Sequence, residues 1–272
     1  MQKSIKTLLA IGSINLVALA SVINAPSLAF GIFPIKVYFQ KGQPSRDVTL
    51  DNSEDKTVRL KVYAYKWEED GEGKKNLTPT KDISLFPAIL ELKPKSKRII
   101  RLASKLPPKQ FEQSYRLFVE QLPETVTKKS EPTADGTQPT KTQVQLNFLY
   151  TLSLPIFISP ISANRKSVIS GLNISGNKLS LKLANQGNTH VFASKIEIIT
   201  KDAAGKVIAT KKVDPTYVLP SIERNLSMEL PQEQCQNVKN ISIDIQGDED
   251  IGDKTKIDRT IPAPAGVCGA KK

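Results

Sequence analysis

The stretch Asn147–Pro160 reads NFLYTLSLPIFISP, and with the residues just before it the pattern alternates. If the segment is extended, Val144, Leu146, Phe148, Tyr150, Leu152, Leu154, Ile156 and Ile158 all lie on one face, because successive strand side chains point to opposite sides. A strand of ~5–6 residues would place only two or three apolar side chains there. Two readings account for so long an apolar ridge. It is either a central strand with every apolar side chain in one core, or a strand left partly open and offered to the sheet of another chain, since exposed apolar edges recruit partners.

The surrounding sequence is strand-rich. Val48 and Leu50, then Val58, Leu60, Val62 and Ala64, alternate on either side of the turn cluster Asp51-Asn52-Ser53-Glu54-Asp55. SLFPAILELKPKSKRIIRL (Ser84 to Leu102) reads as two strands joined at Lys93-Pro94-Lys95-Ser96, and SYRLFVEQLP (Ser114 to Pro123) as another. Glu124 to Thr142 is rich in Thr, Lys and Pro and reads as a flexible loop leading into the ridge. After Pro160 the short polar ISANRKS precedes a second set of alternating runs, with a hairpin signal at Asp202-Ala203-Ala204-Gly205. No amphipathic helical period stands out. The expected fold is all-β, with two immunoglobulin-like β-sandwich domains in tandem at 30–160 and 161–272. The short connection implies a fairly fixed relative orientation.

The N-terminus reads as a targeting signal. Lys3 and Lys6 precede an apolar run from Thr7 to Ala20, and Ser27-Leu28-Ala29 offers small residues for cleavage after Ala29. That run is short and broken by Ser13 and Asn15, which argues against a permanent anchor. The formal charge is +12; the signal carries two lysines and no acid, so the cleaved chain stands at +10. The expectation is an exported chain with no stable membrane insertion after cleavage. Cys235 and Cys268 are the only cysteines, and in an oxidising compartment such a pair reads as a disulfide. It would close a loop worth roughly 3–4 kcal/mol in the chain-entropy account.

Several classes of function find no support. The basic residues are spread out (Lys74-Lys75, Lys93 to Arg98, Lys128-Lys129, Lys211-Lys212), without the aromatic-basic pattern of a nucleic-acid module. The single histidine, His190, leaves little room for a His-based triad, and its NQGNTHV setting reads as a surface turn. Acidic runs such as Glu68-Glu69-Asp70 also read as turns. No metal-ligand spacing and no phosphate-cradling glycine loop occur. The expectation is therefore no enzyme, no catalytic residue, no metal and no cofactor.

The order of segments is similar to the periplasmic pilus chaperone (PapD-like) family over nearly all of the chain beyond the signal. IFPIKVYFQKGQPSRDVTLDNS resembles its opening strands, with a basic residue before a short apolar-aromatic run, a turn, and VTLxN. LFPAILELKPKSKRIIRL, QSYRLFVEQLP and LPIFISP resemble its later first-domain strands. LANQGNTHV, AAGKVI and VLPSIER resemble second-domain elements, and many members carry a late disulfide. The resemblance implies a periplasmic chaperone that lends its apolar strand to incomplete immunoglobulin-like pilus or fibre subunits and hands them to an outer-membrane usher. Leu146, Phe148, Tyr150 and Leu152 would be the inserted residues, Val144 and Leu154 would extend the set, and Ile156 and Ile158 would pack in the chaperone's own core. An edge of this kind would also pair with a second copy as a self-capping dimer. The alternative, from another class, is a secreted structural or adhesive two-domain protein with the ridge buried.

The family anchors its client's terminal carboxylate with two basic residues. By position one is Lys36, for which the bland alternative is a solvated edge lysine. The other falls on Pro155, which carries no charge and donates no backbone hydrogen bond. The resemblance is thus to a divergent branch, with Arg116 and Arg101 as alternative replacements.

Overall fold

The computed structural model describes residues 30–123, 149–247 and 256–262. The signal segment, Leu146, Phe148 and Cys268 lie outside the described residues. The described chain is built of strands, and its helical element is a single 3-10 turn at Cys235–Asn237.

Two sheets face each other in the first half. One has the order β1 (Gly31–Phe33), β3 (Ser45–Asp51), β8 (Lys97–Ser104), β6 (Ile83–Phe86). The other has the order β2 (Val37–Phe39), β10 (Thr151–Ile158), β9 (Gln113–Gln121), β4 (Val58–Glu69), with β5 (Lys75–Pro79) and β7 (Ile89–Leu92) both pairing β4. The alternating residues face inward: Val48, Leu50, Leu60, Val62, Ile100, Leu102, Leu117 and Val119 join Leu154, Ile156 and Ile158 in one core. The turn cluster between β3 and β4 is organised by Asn52. Its fully buried amide donates to the carbonyls of Lys56, Leu92 and Lys93 at 2.7–3.0 Å, while its Oδ1 accepts from Glu54 N. A buried side-chain amide thereby supplies the hydrogen bonds that three backbone carbonyls would otherwise lack. The run expected as two strands is three, because the chain passes from one sheet to the other after Phe86.

A second core gathers Leu179, Leu181, Leu183, Val191, Ile196, Ile198, Ile241, Ile243 and Ile245 between further antiparallel strands. These are β11 (Ser167–Ser175), β12 (Lys178–Asn185) and β17 (Glu223–Glu229) in one sheet, and the short pair β13 (Val191–Ala193) and β16 (Thr216–Val218). The opposing sheet runs β15 (Val207–Val213), β14 (Lys195–Lys201), β18 (Asn240–Gln246), β19 (Lys256–Pro262). The turn expected at 202–205 joins β14 to β15, with Asp202 Oδ1 accepting from the N–H groups of Ala204 and Lys206. Cys235 is buried in this core. The protein is all-β, two immunoglobulin-like sandwiches in tandem.

The two sandwiches are joined by more than the linker. Asn188 donates to the carbonyls of Gln110 and Ser162, accepts from Asn164 N, and offers its own carbonyl to Glu112 N. Gly187 permits this close approach, since a Cβ there would collide with the Asn164 carbonyl. On the other flank, the β4–β5 turn (Asp70–Lys74) lies on β17: Asn225 N donates to Gly71 O at 2.8 Å, and the Asn225 amide to Glu72 Oε1 at 2.6 Å. Gly73, at φ +86°, lets the Arg224 guanidinium lie against the turn.

Gly73→Ala is expected to destabilise the protein by about 2–4 kcal/mol in urea unfolding, combining left-handed backbone strain with displacement of a buried ion pair. Gly176 has φ +61° and open space where a Cβ would go. Gly176→Ala therefore isolates the backbone part, about 1–2 kcal/mol; equal costs at the two sites would refute the role given to Arg224.

Candidate functional site

The site lies where β10 leaves the first core. Its register opposite β9 runs from Thr151↔Glu120 to Ile158↔Gln113, and Gln121 N donates to Tyr150 O. Antiparallel ladders alternate, so the backbone groups of Tyr150, Leu152, Leu154 and Ile156 face β9, and those of Thr151, Ser153 and Pro155 face the far edge. From Ile156 to Ile158 that far edge is covered by β2, in parallel. From Thr151 to Pro155 no strand covers it among the described residues. Pro155 is tolerated because its position owes β9 no N–H.

Side-chain burial along the ridge is graded. Ile158, Ile156 and Leu154 are buried in the first core, whereas Leu152 and Tyr150 are only partly buried against it. Ile156 and Ile158 thus belong to the protein's own core, and Leu154 joins them there instead of extending the open set. The opposite face of the same strand also contributes. Phe157 is fully buried with Trp67 and Leu219 in a cluster between the sandwiches. Sequence reasoning that follows one face of the ridge passes over Phe157, although its apolar character in an otherwise polar alternation (Thr151, Ser153) is a visible signal.

The sequence places His190 in a surface turn; in the structure it is 1% exposed. Its ring stacks on Phe157 at 3.7 Å between centroids and lies 6.0 Å from the ring of Tyr38. Glu112 of the first sandwich accepts from both His190 N (2.9 Å) and its ring Nδ1 (2.7 Å). Glu69, expected in a turn, ends β4 and is also buried. Its carboxylate accepts from Leu219 N at 2.9 Å and pairs with Arg224 at 3.0 Å. Burial pushes the Glu69 pKa up, against the pull of the Leu219 N–H and the Arg224 charge. Both corrections have one cause. A polar residue that finds its partners on another domain looks, in sequence, like a polar residue in a turn.

The cleft wall is aromatic, with a cation at each end. The Lys36 ammonium lies 4.7 Å from the Phe192 ring centroid; Phe192 contacts Tyr217 (4.5 Å), Tyr217 meets Trp67 edge-on (5.4 Å), and Arg116 lies 5.2 Å over Trp67. Lys36 is half-buried in this cleft and not an edge residue in open solvent. Arg116 stands directly opposite Pro155 and donates to Ser153 Oγ and O, both at 3.0 Å. No carboxylate pairs with Arg116 among the described residues, and burial depresses its pKa. Burial and the nearby Arg116 charge depress that of Lys75. A half-buried cation such as Arg116, whose charged form burial disfavours, gains from any anion brought beside it. Arg101, the other replacement considered, is on the opposite sheet and ion-paired to Asp47 at 2.9 Å.

Two immunoglobulin-like sandwiches meet at an aromatic, basic cleft beside a strand edge that no strand covers among the described residues. The sequence profile described as pili and flagellar-assembly chaperone, PapD N-terminal domain, matches residues 29–164, half of the 272 residues. The chain therefore belongs to this family of pilus-assembly chaperones, which is not a family of enzymes. Among solved structures it is similar to a chain of the CsuC–CsuE chaperone–tip adhesion subunit pre-assembly complex from archaic chaperone-usher Csu pili of Acinetobacter baumannii. The identity is 18% and the TM-score 0.56, over 87% of this chain and 98% of that one. It is also similar to the class 5 fimbriae chaperone CfaA (18%, TM-score 0.53, 86% and 99%) and to the YadV chaperone (16%, TM-score 0.51, 86% and 100%). No curated protein sequence gave a match.

The buried pair carries the next expectation. His190→Ala should cost about 1–3 kcal/mol in chemical denaturation, because it leaves the buried Glu112 carboxylate with the His190 N–H and no side-chain partner, where a surface histidine would cost under about 0.5 kcal/mol. The double variant Glu112→Leu with His190→Leu should cost less than the two single variants added together.

Proposed function

We propose that this protein is a periplasmic chaperone that completes the fold of a pilus subunit by lending it the first part of the ridge. The observation that carries the reading is the edge of β10 from Thr151 to Pro155, uncovered by any strand among the described residues, beside the place where ridge burial falls away. A client sheet would pair with that edge and take Leu146, Phe148, Tyr150 and Leu152 into its own core. Each side chain so buried contributes about 1.5–3 kcal/mol, and the added strand satisfies backbone groups on both chains.

The cleft completes the site. Lys36 and Arg116 would hold the client's terminal carboxylate between them, with Arg116 standing in for the cation that Pro155 cannot supply. Arg116 now serves the Ser153 carbonyl. An incoming strand would take over that carbonyl through its own N–H and release the guanidinium to the carboxylate. The crystal structure of CsuC with its tip adhesion subunit supports a pilus subunit as the client class.

Other parts of the reading follow the same logic. Residues 1–29 would direct export and be removed, and the chain would divide at 160/161. Cys235 and Cys268 would be joined, tethering the C-terminal tail to the second core. The loaded chaperone would deliver its subunit to an outer-membrane usher.

The test is co-expression with a pilus subunit lacking its last strand. Leu146→Asp and Leu152→Asp should each weaken capture at least about 100-fold, since a charge replaces a buried side chain, while circular dichroism and melting temperature of the free chaperone change little for Leu146→Asp. Lys36→Ala and Arg116→Ala should each weaken capture by about 10- to 100-fold, the scale of one charged hydrogen bond. Unchanged capture by Leu146→Asp, or unfolding of that variant, would reject the open-strand reading in favour of a buried ridge.

A further inference from the structure

The outer face of the β1–β3–β8–β6 sheet takes no part in either core, in the β10 edge or in the cleft. Its apolar side chains are large and exposed: Phe33 by 74%, Phe86 by 79% and Ile99 by 57%. Phe33, Thr49 and Ile99 are partners in one cross-strand row, and Asp47, Arg101 and Phe86 in the next. Charges on this face are sorted by strand. β3 presents Asp47 and Asp51, while β8 presents Arg101 and Lys97, paired across the strands at 2.9 and 3.1 Å. On a chain with a net charge of +12, most surface repels a second copy, whereas this face is neutral.

We propose that this face is a two-fold interface between two copies of the chain. Consider an axis parallel to the strands, midway between β3 and β8, at half the ~10 Å spacing of stacked sheets. Rotation about it sets β3 of one copy over β8 of the other with strands aligned, the usual arrangement of packed sheets. Asp47 then faces Arg101 of the second copy and Asp51 faces Lys97, each contact made twice. The outer strands exchange likewise: β1 of one copy falls over β6 of the other, which sets Phe33 and Phe86 two residues apart along the strands, within reach of their aromatic side chains. One operation satisfies every charge on the face and covers its exposed aromatic residues. This dimer needs nothing from the β10 edge, so it is distinct from self-capping through the ridge and compatible with a loaded client.

The experiment is sedimentation equilibrium of the purified protein up to about 100 µM, a range that registers micromolar association. The wild type should approach twice the mass of a single chain, and Phe33→Asp should stay monomeric at every concentration. Asp47→Arg and Arg101→Asp should each be monomeric alone, because each sets like charges face to face. Mixed in equal amounts they should associate one to one, since the guanidinium introduced at position 47 of the first variant then meets the carboxylate introduced at position 101 of the second. Leu152→Asp should leave the dimer intact. A wild type that stays monomeric, a mixture that fails to associate, or a dimer lost with Leu152→Asp but kept with Phe33→Asp would each overturn the proposal.

Discussion

Strand β10 cannot be packed identically along its length, and most of the structure depends on how that constraint is met. Its two faces and two edges give it four sets of neighbours. One face inserts Leu154, Ile156 and Ile158 into the first core. The other seats Phe157 between the sandwiches. One edge is paired to β9 throughout, and among the described residues the other is closed by β2 only at its last three residues. The buried half anchors the strand beside its less covered half. An apolar edge held in place by its own continuation is an ordered element, where a loose one would be an aggregation hazard.

The junction between sandwiches makes that edge usable, and buried carboxylates hold it. Glu112 and Glu69 each leave the first sandwich and accept one backbone N–H and one side-chain donor from the second. Neither carboxylate could be left unpaired at that depth, so the two domains are bound by the cost of separating them as much as by the attraction of joining them. Phe157, stacked on His190, ties the same junction to β10. The orientation of the cleft and the position of the open edge are therefore one mechanical unit, and Arg116, which lies on Trp67 and reaches Ser153, touches both.

Electrostatics divides the surface into different kinds of ground. The cleft holds Lys36 and Arg116 against aromatic rings, while the carboxylates at the junction, Glu69 and Glu112, are engaged by Arg224 and His190. It is a place that an anion would relieve. The β3–β8 face, by contrast, has its formal charges matched within the sheet. A chain this basic can meet a partner closely only where its charge is either neutralised or complemented.

The period-two pattern of apolar residues was enough to establish the strands, the all-β class and the two sandwiches, because alternation is a local property and each strand buries the face its own sequence marks. The turn at Asp202–Gly205 and the turn character of the cluster around Asn52 were equally local. The ridge was visible too, but its division at Leu154 was not: all its members are apolar, and what separates Leu152 from Leu154 is how deeply each packs into the first core. His190, Glu112, Glu69 and Arg224 were illegible for the same kind of reason. Their partners are 78 to 155 residues away in sequence, so nothing near them signals burial. That Arg116 stands by the cleft while Arg101 is on the opposite sheet, already held by Asp47, was likewise invisible in the sequence. Local pattern marks which residues are able to be buried or paired. Which of them are is settled only in three dimensions, because coverage of an edge and the meeting of two domains exist only once distant strands have come together.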